Sequence, residues 1–184
     1  KAMSENPQKI AFIDRDGTLL EEVNFLSRVE DMVIFPFTST ALSLLRENGF
    51  RIIVVTNQSG IGRGLFTAED MHSIHDRMAE NMPELIDTFH FCPHLPDAGC
   101  DCRKPNTGMI EEAANHFEID RANSWIIGDK LLDIQTGFNA GLRTALVRTG
   151  YGKGTVETLD RRPDIIADDL LDAVTQIVGT GSFA

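Results

Sequence analysis

Nowhere in the 184 residues does an apolar run approach the ~20 that a membrane span requires, and the polar start KAMSENPQ has no signal-like core. A soluble cytoplasmic protein with no membrane partner is the expectation. Basic residues are scarce: 17 Lys and Arg stand against 28 Asp and Glu, a net charge of −11 at pH 7. Nucleic acids are held through a basic face, often with aromatic stacking, and no such cluster exists, so nucleic acid is not an expected partner. An anionic small molecule remains open, since a few local cations can dominate one cleft. Cysteine is confined to Cys92, Cys100 and Cys102, all within eleven residues. A disulfide scaffold spreads an even number of cysteines along the chain, so this clustering points to a metal site in a reducing compartment.

What is present is ordinary globular material, 42% hydrophobic and 24% charged, without repeats or low-complexity tracts. Apolar runs alternate with helical periods. Lys9–Asp14, Arg51–Thr56, Ile86–Cys92, Ser124–Gly128, Arg143–Val147 and Asp164–Ala167 read as short buried strands. Between them, helical spacing appears at Phe37, Ala41, Leu44 and Leu45, and at Met71, Ile74, His75, Met78 and Met82. It recurs after Thr107, from Leu131 to Ala140 with Gly141 as a stop, and at Leu170, Val174, Ile177 and Val178. Ser59–Gly64 and Gly150–Gly154 read as loops. The alternation predicts an α/β fold, a Rossmann-like parallel sheet with helices on both faces. A single domain over residues 9–179 is expected, with flexible ends at 1–8 and 180–184.

In such folds ligands bind beyond the carboxyl ends of the strands. Three polar clusters fall there: Asp14-Arg15-Asp16, Thr56-Asn57-Gln58 and Gly128-Asp129-Lys130. Residues i and i+2 of a strand point the same way, so Asp14 and Asp16 can face one site. Two carboxylates in different environments can divide the work of nucleophile and acid. By itself the pair is equally a solvated turn, and Arg103-Lys104 by itself is a solvated basic dipeptide.

Taken together and in order, DRDGT from Asp14, Thr56, Lys104 in RKP and GDKLLD from Gly128 to Asp133 resemble the four motifs of the haloacid-dehalogenase (HAD) phosphohydrolases. The resemblance spans Ile10 to Gly150. It implies that Asp14 attacks phosphorus to form an aspartyl-phosphate, while Asp16 protonates the leaving oxygen and then activates water. It also implies that Thr56 and Lys104 hold phosphoryl oxygens, and that Mg²⁺ sits on Asp14, Asp129 and the backbone carbonyl of Asp16. Asn57, Gln58, Arg103 and Lys130 are candidate substrate contacts. Asp133 is expected to cap or pair near its helix start.

Cys92-x-His94-x5-Cys100-x-Cys102 offers three thiols and an imidazole, a recognised tetrahedral zinc set. Four protein ligands leave no open position, so a structural zinc is expected, stiffening the loop that delivers Arg103 and Lys104. His72, His75, His90 and His116 read as core or surface residues. Within the HAD phosphatases the CPH…CDCRKP block resembles the capless branch that holds heptose-bisphosphate phosphatases and histidinol-phosphate phosphatase domains. Asn24-Phe25, VEDMVIFP and LVRTGYGKG lean toward the heptose enzymes, in which positions matching Glu22, Val23, Asn24 and Phe25 contact sugar. The Glu22-Val23 pair departs from that pattern. The intervals Thr18–Thr56 and Asn57–Arg103 leave no room for a separate cap domain. The expectation is an Mg²⁺-dependent phosphatase of a sugar bisphosphate, most simply a monomer. Its rivals are a histidinol-phosphate phosphatase and a non-enzymatic zinc-binding module.

Overall fold

The computed structural model describes residues 6–180. Its strands are β1 (Ile10–Ile13), β2 (Arg51–Asn57), β3 (Thr88–Cys92), β4 (Trp125–Gly128), β5 (Arg143–Val147) and β6 (Ile165–Ala167). The helices between and after them are α1 (Thr38–Glu47), α2 (Ser59–Gly62), α3 (Ala68–Asn81), α4 (Gly108–Ala114), α5 (Leu131–Ala140), α6 (Gly152–Val156) and α7 (Leu170–Thr180). The strands form one parallel sheet in the order β3-β2-β1-β4-β5-β6, which puts the topological switch between β1 and β4. Ile13 lies level with Val54 on one side and Ile127 on the other, so the polar residues that follow all three strands emerge together.

Continuous apolar strands need cover on both faces, and they have it. Ala11, Ile13, Val54 and Ile127 pack under α1, α3 and α7 through Leu42, Leu45, Ile74, Met78, Val174 and Ile177. The alternate residues Ile10, Phe12, Ile53, Val55 and Ile126 pack against Met109, Ile110 and Ala113 of α4 and against Ala140 at the end of α5. The expected doubly wound α/β architecture is the one observed. α3 opens with a capping box: Asp70 N donates to Thr67 Oγ1 (3.1 Å) and Thr67 N to Asp70 Oδ2 (2.8 Å).

Three local expectations are corrected. Ser59–Gly64 is not all loop, because its first residues make the single turn α2, with Gly62 N–H donating to Pro93 O at 3.0 Å. Gly150–Gly154 likewise runs into α6, where Thr155 Oγ1 donates to Asp129 O at 2.9 Å. In both, tertiary hydrogen bonds hold a turn that glycine-rich composition disfavours. Gln8, placed in the flexible start, pairs with the segment before β4: its N–H donates to Glu118 O (2.8 Å) and its carbonyl accepts from Asp120 N (2.9 Å). Of those ends, residues 1–5 and 181–184 lie outside the described residues.

The β1–β2 connection holds only α1 and a 3-10 turn at Val29–Asp31, and the β2–β3 connection only α2 and α3. Among the described residues no separate cap domain covers the strand ends, and no helix is long and apolar enough to cross a membrane.

Candidate active site

Beyond β1, β2 and β4 the structure opens a cleft of about 250 Å³. It gathers Asp14, Asp16, Glu22, Asn24, Phe25, Thr56, Asn57, Gln58, Arg103, Lys104 and Lys130, all singled out in the sequence. Val23 does not line it and is 39% exposed. Leu26, Ser59, Gly60, Leu132, Asp133 and Tyr151 also line the cleft and were not expected there as contacts. Tyr151 had a signal: it follows β5, whose carboxyl end lies on the same side of the sheet as the motifs. A larger and shallower depression of about 840 Å³ lies along α4, lined by Asn106, Thr107, Glu111 and Asn139 among others. None of the motif carboxylates or buried cations lines it, so size does not mark the site here.

Lys104 is the electrostatic centre of the cleft. Its buried ammonium donates to Asp14 Oδ1 (2.9 Å), Asp133 Oδ1 (2.7 Å) and Val55 O (2.9 Å), which uses all three protons. Asn57 holds its backbone from both sides, donating to Lys104 O (3.3 Å) and accepting from Lys104 N (3.0 Å). The Asn57 amide is thereby engaged with the chain itself. Asp133 does what its position suggested: Oδ2 accepts from Lys130 N at 3.1 Å, capping α5, while Oδ1 pairs with Lys104.

Asp129 is fully buried between the turns that follow β1 and β5. A Cβ at Gly17 (φ +87) or at Gly150 (φ +55) would overlap its Oδ2, so only glycine lets the two turns close on this carboxylate. Tyr151 N donates to that oxygen at 2.9 Å. Asp14, Asp129 and Asp133 each bring an oxygen within 4.8 Å of the others. Burial, reinforced by Asp14 and Asp133, pushes Asp129 up to about 9. Burial also raises Asp14, but Lys104 and Lys130 outweigh it and hold that carboxyl below its ordinary range. Lys104 is raised by its carboxylates against burial, yet Asp133 is also raised, by burial and then Asp14, beyond what Lys104 offsets. Lys104 and Lys130 together face three buried carboxylates, so the group is short of positive charge.

Asp14 Oδ2 and Asp129 Oδ1 are buried without a hydrogen-bond partner. Two orphaned hard oxygens in a charge-deficient acidic cluster suit a divalent cation such as Mg²⁺. The Asp16 side chain stands outside this cluster. It is turned to Arg15 Nε (3.0 Å) and Nη2 (3.1 Å), and Gln58 Nε2 donates to it at 3.1 Å. The same Gln58 nitrogen donates to Thr56 Oγ1 at 2.7 Å. At the rim, Lys130 Nζ lies 3.9 Å from Glu22 and 5.4 Å from the Tyr151 ring. Asn24 (φ 52) and Phe25 (φ 59) both occupy the left-handed region, a conformation stabilised in part by Asn24 N–H donating to Glu22 Oε1 at 2.9 Å.

The loop after β3 brings the four expected metal ligands together. Cys92 Sγ lies 3.6 Å from Cys100 Sγ and 3.5 Å from His94 Nδ1, which is 3.3 Å from Cys102 Sγ. All four donors lie within 4.8 Å of one another. Bond lengths of about 2.3 Å to sulfur and 2.0–2.1 Å to nitrogen give a zinc tetrahedron edges of roughly 3.5–3.8 Å. The cluster fits that ion, and its sulfur separation is far beyond a disulfide's. Arg103 follows the last thiol, and its Nη1 is buried without a partner. The residue faces both the cleft and an adjoining hollow of about 340 Å³ lined by Pro96, Gly99, Cys100 and Leu132.

Comparison with known proteins places this geometry. A family model for HAD-hydrolase-like domains matches residues 101–173. A D-glycero-D-manno-heptose-1,7-bisphosphate 7-phosphatase of Chlorobaculum tepidum is 39% identical over 184 residues, covering 91% of this chain and 92% of its own. The D-glycero-alpha-D-manno-heptose-1,7-bisphosphate 7-phosphatase of Photorhabdus laumondii is 40% identical, covering 81% and 87%. Among solved structures, a D,D-heptose 1,7-bisphosphate phosphatase of B. bronchiseptica, crystallised with magnesium and phosphate, superposes with a TM-score of 0.87 at 31% identity, covering 94% of this chain and 99% of that one.

Proposed function

This chain belongs to the HAD-like hydrolases, in the family of the heptose-bisphosphate phosphatases, and we propose that it removes the 7-phosphate of D-glycero-D-manno-heptose 1,7-bisphosphate. The observation that carries this reading is the buried Lys104 ammonium, 2.9 Å from the Asp14 carboxylate whose second oxygen has no partner. Asp14 is thereby kept ionised as a nucleophile, beside a cation whose charge faces the phosphoryl group.

In the reaction, an Asp14 oxygen bonds to phosphorus as the bond to the sugar oxygen breaks. Asp16 gives that oxygen a proton, leaving the dephosphorylated sugar and an aspartyl-phosphate. Asp16, now ionised, takes a proton from water as the water oxygen attacks phosphorus, which frees inorganic phosphate and restores Asp14. The Lys104 charge would offset the negative charge of the phosphoryl group, and the Thr56 hydroxyl would hold one of its oxygens. Asn57 serves by fixing the Lys104 backbone. Asp14, Asp129 and the Asp16 carbonyl would hold Mg²⁺, which neutralises phosphoryl charge when bound. Cys92, His94, Cys100 and Cys102 would hold a structural zinc that stiffens the loop presenting Arg103 and Lys104. Arg103, a cleft residue with an unpaired donor, would take the second phosphate, and Glu22, Asn24, Phe25 and Lys130 would contact the sugar. We place the enzyme in the cytoplasm, acting as a monomer of one domain (residues 9–179), since its clustered thiols need a reducing compartment.

The test is a steady-state comparison with Mg²⁺ of heptose 1,7-bisphosphate, fructose 1,6-bisphosphate and histidinol phosphate, with ³¹P NMR identifying the phosphate removed. Preference for the heptose at its 7-position, and loss of turnover in Asp14→Asn, are expected. A higher kcat/KM on histidinol phosphate overturns the substrate assignment. Turnover surviving in Asp14→Asn overturns the nucleophile.

A further inference from the structure

Arg15 is buried to 1% exposure, and its guanidinium sits between two side chains of very different kinds. Nε and Nη2 fork onto the two oxygens of Asp16, and Nη1 lies 3.1 Å from His75 Nε2. A guanidinium has no acceptor, so His75 Nε2 supplies the lone pair and the ring proton sits on Nδ1. The ring is locked from another side, stacked on Phe89 of β3 at 4.4 Å with 13° between planes. Burial, followed by Arg15 and His72, keeps His75 neutral, its pKa lowered to about 3.

We infer that His75 is a positioning residue which, through Arg15, fixes the orientation of the Asp16 carboxylate and selects the oxygen that exchanges the proton. The inference rests on the acid/base role proposed for Asp16. A carboxylate has about four acceptor positions. Arg15 Nε and Gln58 Nε2 both occupy Oδ2, and Arg15 Nη2 occupies one position on Oδ1. One position remains, on Oδ1, and Asp16 lines the cleft. That oxygen is therefore the one left to carry a proton to the leaving group. A neutral acceptor at position 75 suits this task. A carboxylate there would compete with Asp16 for Arg15, and an aliphatic side chain would leave Nη1 unsatisfied and the fork free to re-aim.

The experiment is kcat/KM with Mg²⁺ for a series of aryl and alkyl phosphates graded by leaving-group pKa. This constant covers departure of the leaving group, where acid assistance matters most for poor leaving groups. Asp16→Asn is the control and should steepen the dependence. His75→Leu should steepen it as well, losing about ten- to a hundredfold on alkyl phosphates, part of the range open to a general acid, with little loss on 4-nitrophenyl phosphate. His75→Gln, which keeps a neutral acceptor, should retain the wild-type slope. Each slope is a ratio within one sample, so a partly unfolded fraction cancels. Should His75→Leu give no folded protein, Arg15→Lys, a point charge that cannot fork, must show the same steepening. Equal loss on every substrate in His75→Leu and Arg15→Lys, with Asp16→Asn steep, overturns the inference and leaves the phosphatase reading intact. An unchanged slope in Asp16→Asn overturns the role of Asp16 and this inference with it.

Discussion

Replacing Lys104 by Met removes the ammonium while keeping most of the side-chain volume. It leaves Asp14 and Asp133, with side chains 5% and 1% exposed, without the ammonium that bonds them both. Removing one partner of a buried pair costs about 3–5 kcal/mol, because the other charge stays buried and uncompensated. For 184 residues the unfolding entropy near Tm is about 0.39 kcal/mol/K, so Tm should fall by about 8–13 °C. The decisive comparison is Lys104→Met combined with Asp133→Asn. The amide oxygen of that second change can still cap Lys130 N–H, and one buried negative charge is gone. The double variant should recover about half of the loss or more, since deleting both partners of a buried pair is far milder than deleting one. Thermal and urea denaturation in EDTA measure both variants, and neither should turn over phosphate esters. A loss below about 1 kcal/mol in the single variant, or a double variant no more stable than the single, would falsify the charge-deficient picture of the site.

Without a divalent cation, Asp129 is raised to about 9 by burial and its acidic neighbours. The folded chain then holds a proton that the unfolded chain loses near pH 4, so its stabilising effect is complete at low pH and is lost as pH rises toward 9, by at most about 1.4 kcal/mol per unit. Denaturation across that window should slope downward in EDTA and flatten in Mg²⁺; identical slopes would sink the shared cation site. Freshly purified protein should hold one zinc per chain through dialysis, and Cys100→Ser should lose it together with most activity; metal analysis finding none rules the zinc out. Arg103→Ala should raise KM for the sugar bisphosphate roughly ten- to a hundredfold over its effect on an aryl monophosphate, with kcat kept. Equal effects on the two would place Arg103 on the transferred phosphate instead.

The sheet and most of the site were legible because both depend on short-range pattern. Buried parallel strands such as Arg51–Asn57 announce themselves as apolar runs, and the motif residues sit where those runs stop. The Cys92, His94, Cys100 and Cys102 cluster was readable because four metal-binding side chains fall within one loop. Harder to see were features that tertiary structure imposes. α2 and α6 are written in glycine-rich sequence, which argues against a helix. His75 reads as one more residue on the buried stripe of α3, and only the fold brings it to Arg15, 60 residues away. Val23 belongs to a segment whose other members, Glu22, Asn24 and Phe25, line the cleft, but the left-handed turn at Asn24 and Phe25 leaves it outside.

The two glycines that close on Asp129 alter what loss of activity would mean in a survey of substitutions. Gly17 and Gly150 have no functional group to contribute to chemistry, yet any side chain at either would collide with a carboxylate that Tyr151 N–H holds in place. Neighbouring side chains elsewhere can repack around an extra methyl, but here the obstacle is a fully buried carboxylate, joined at Gly150 by the Gly17 main chain. Inactivity at these positions would therefore mimic the loss of a reacting residue while reporting only that a space had been filled. A map of intolerant positions would draw the catalytic centre larger than its chemistry, and the surplus would be the measure of how tightly two turns have been brought together.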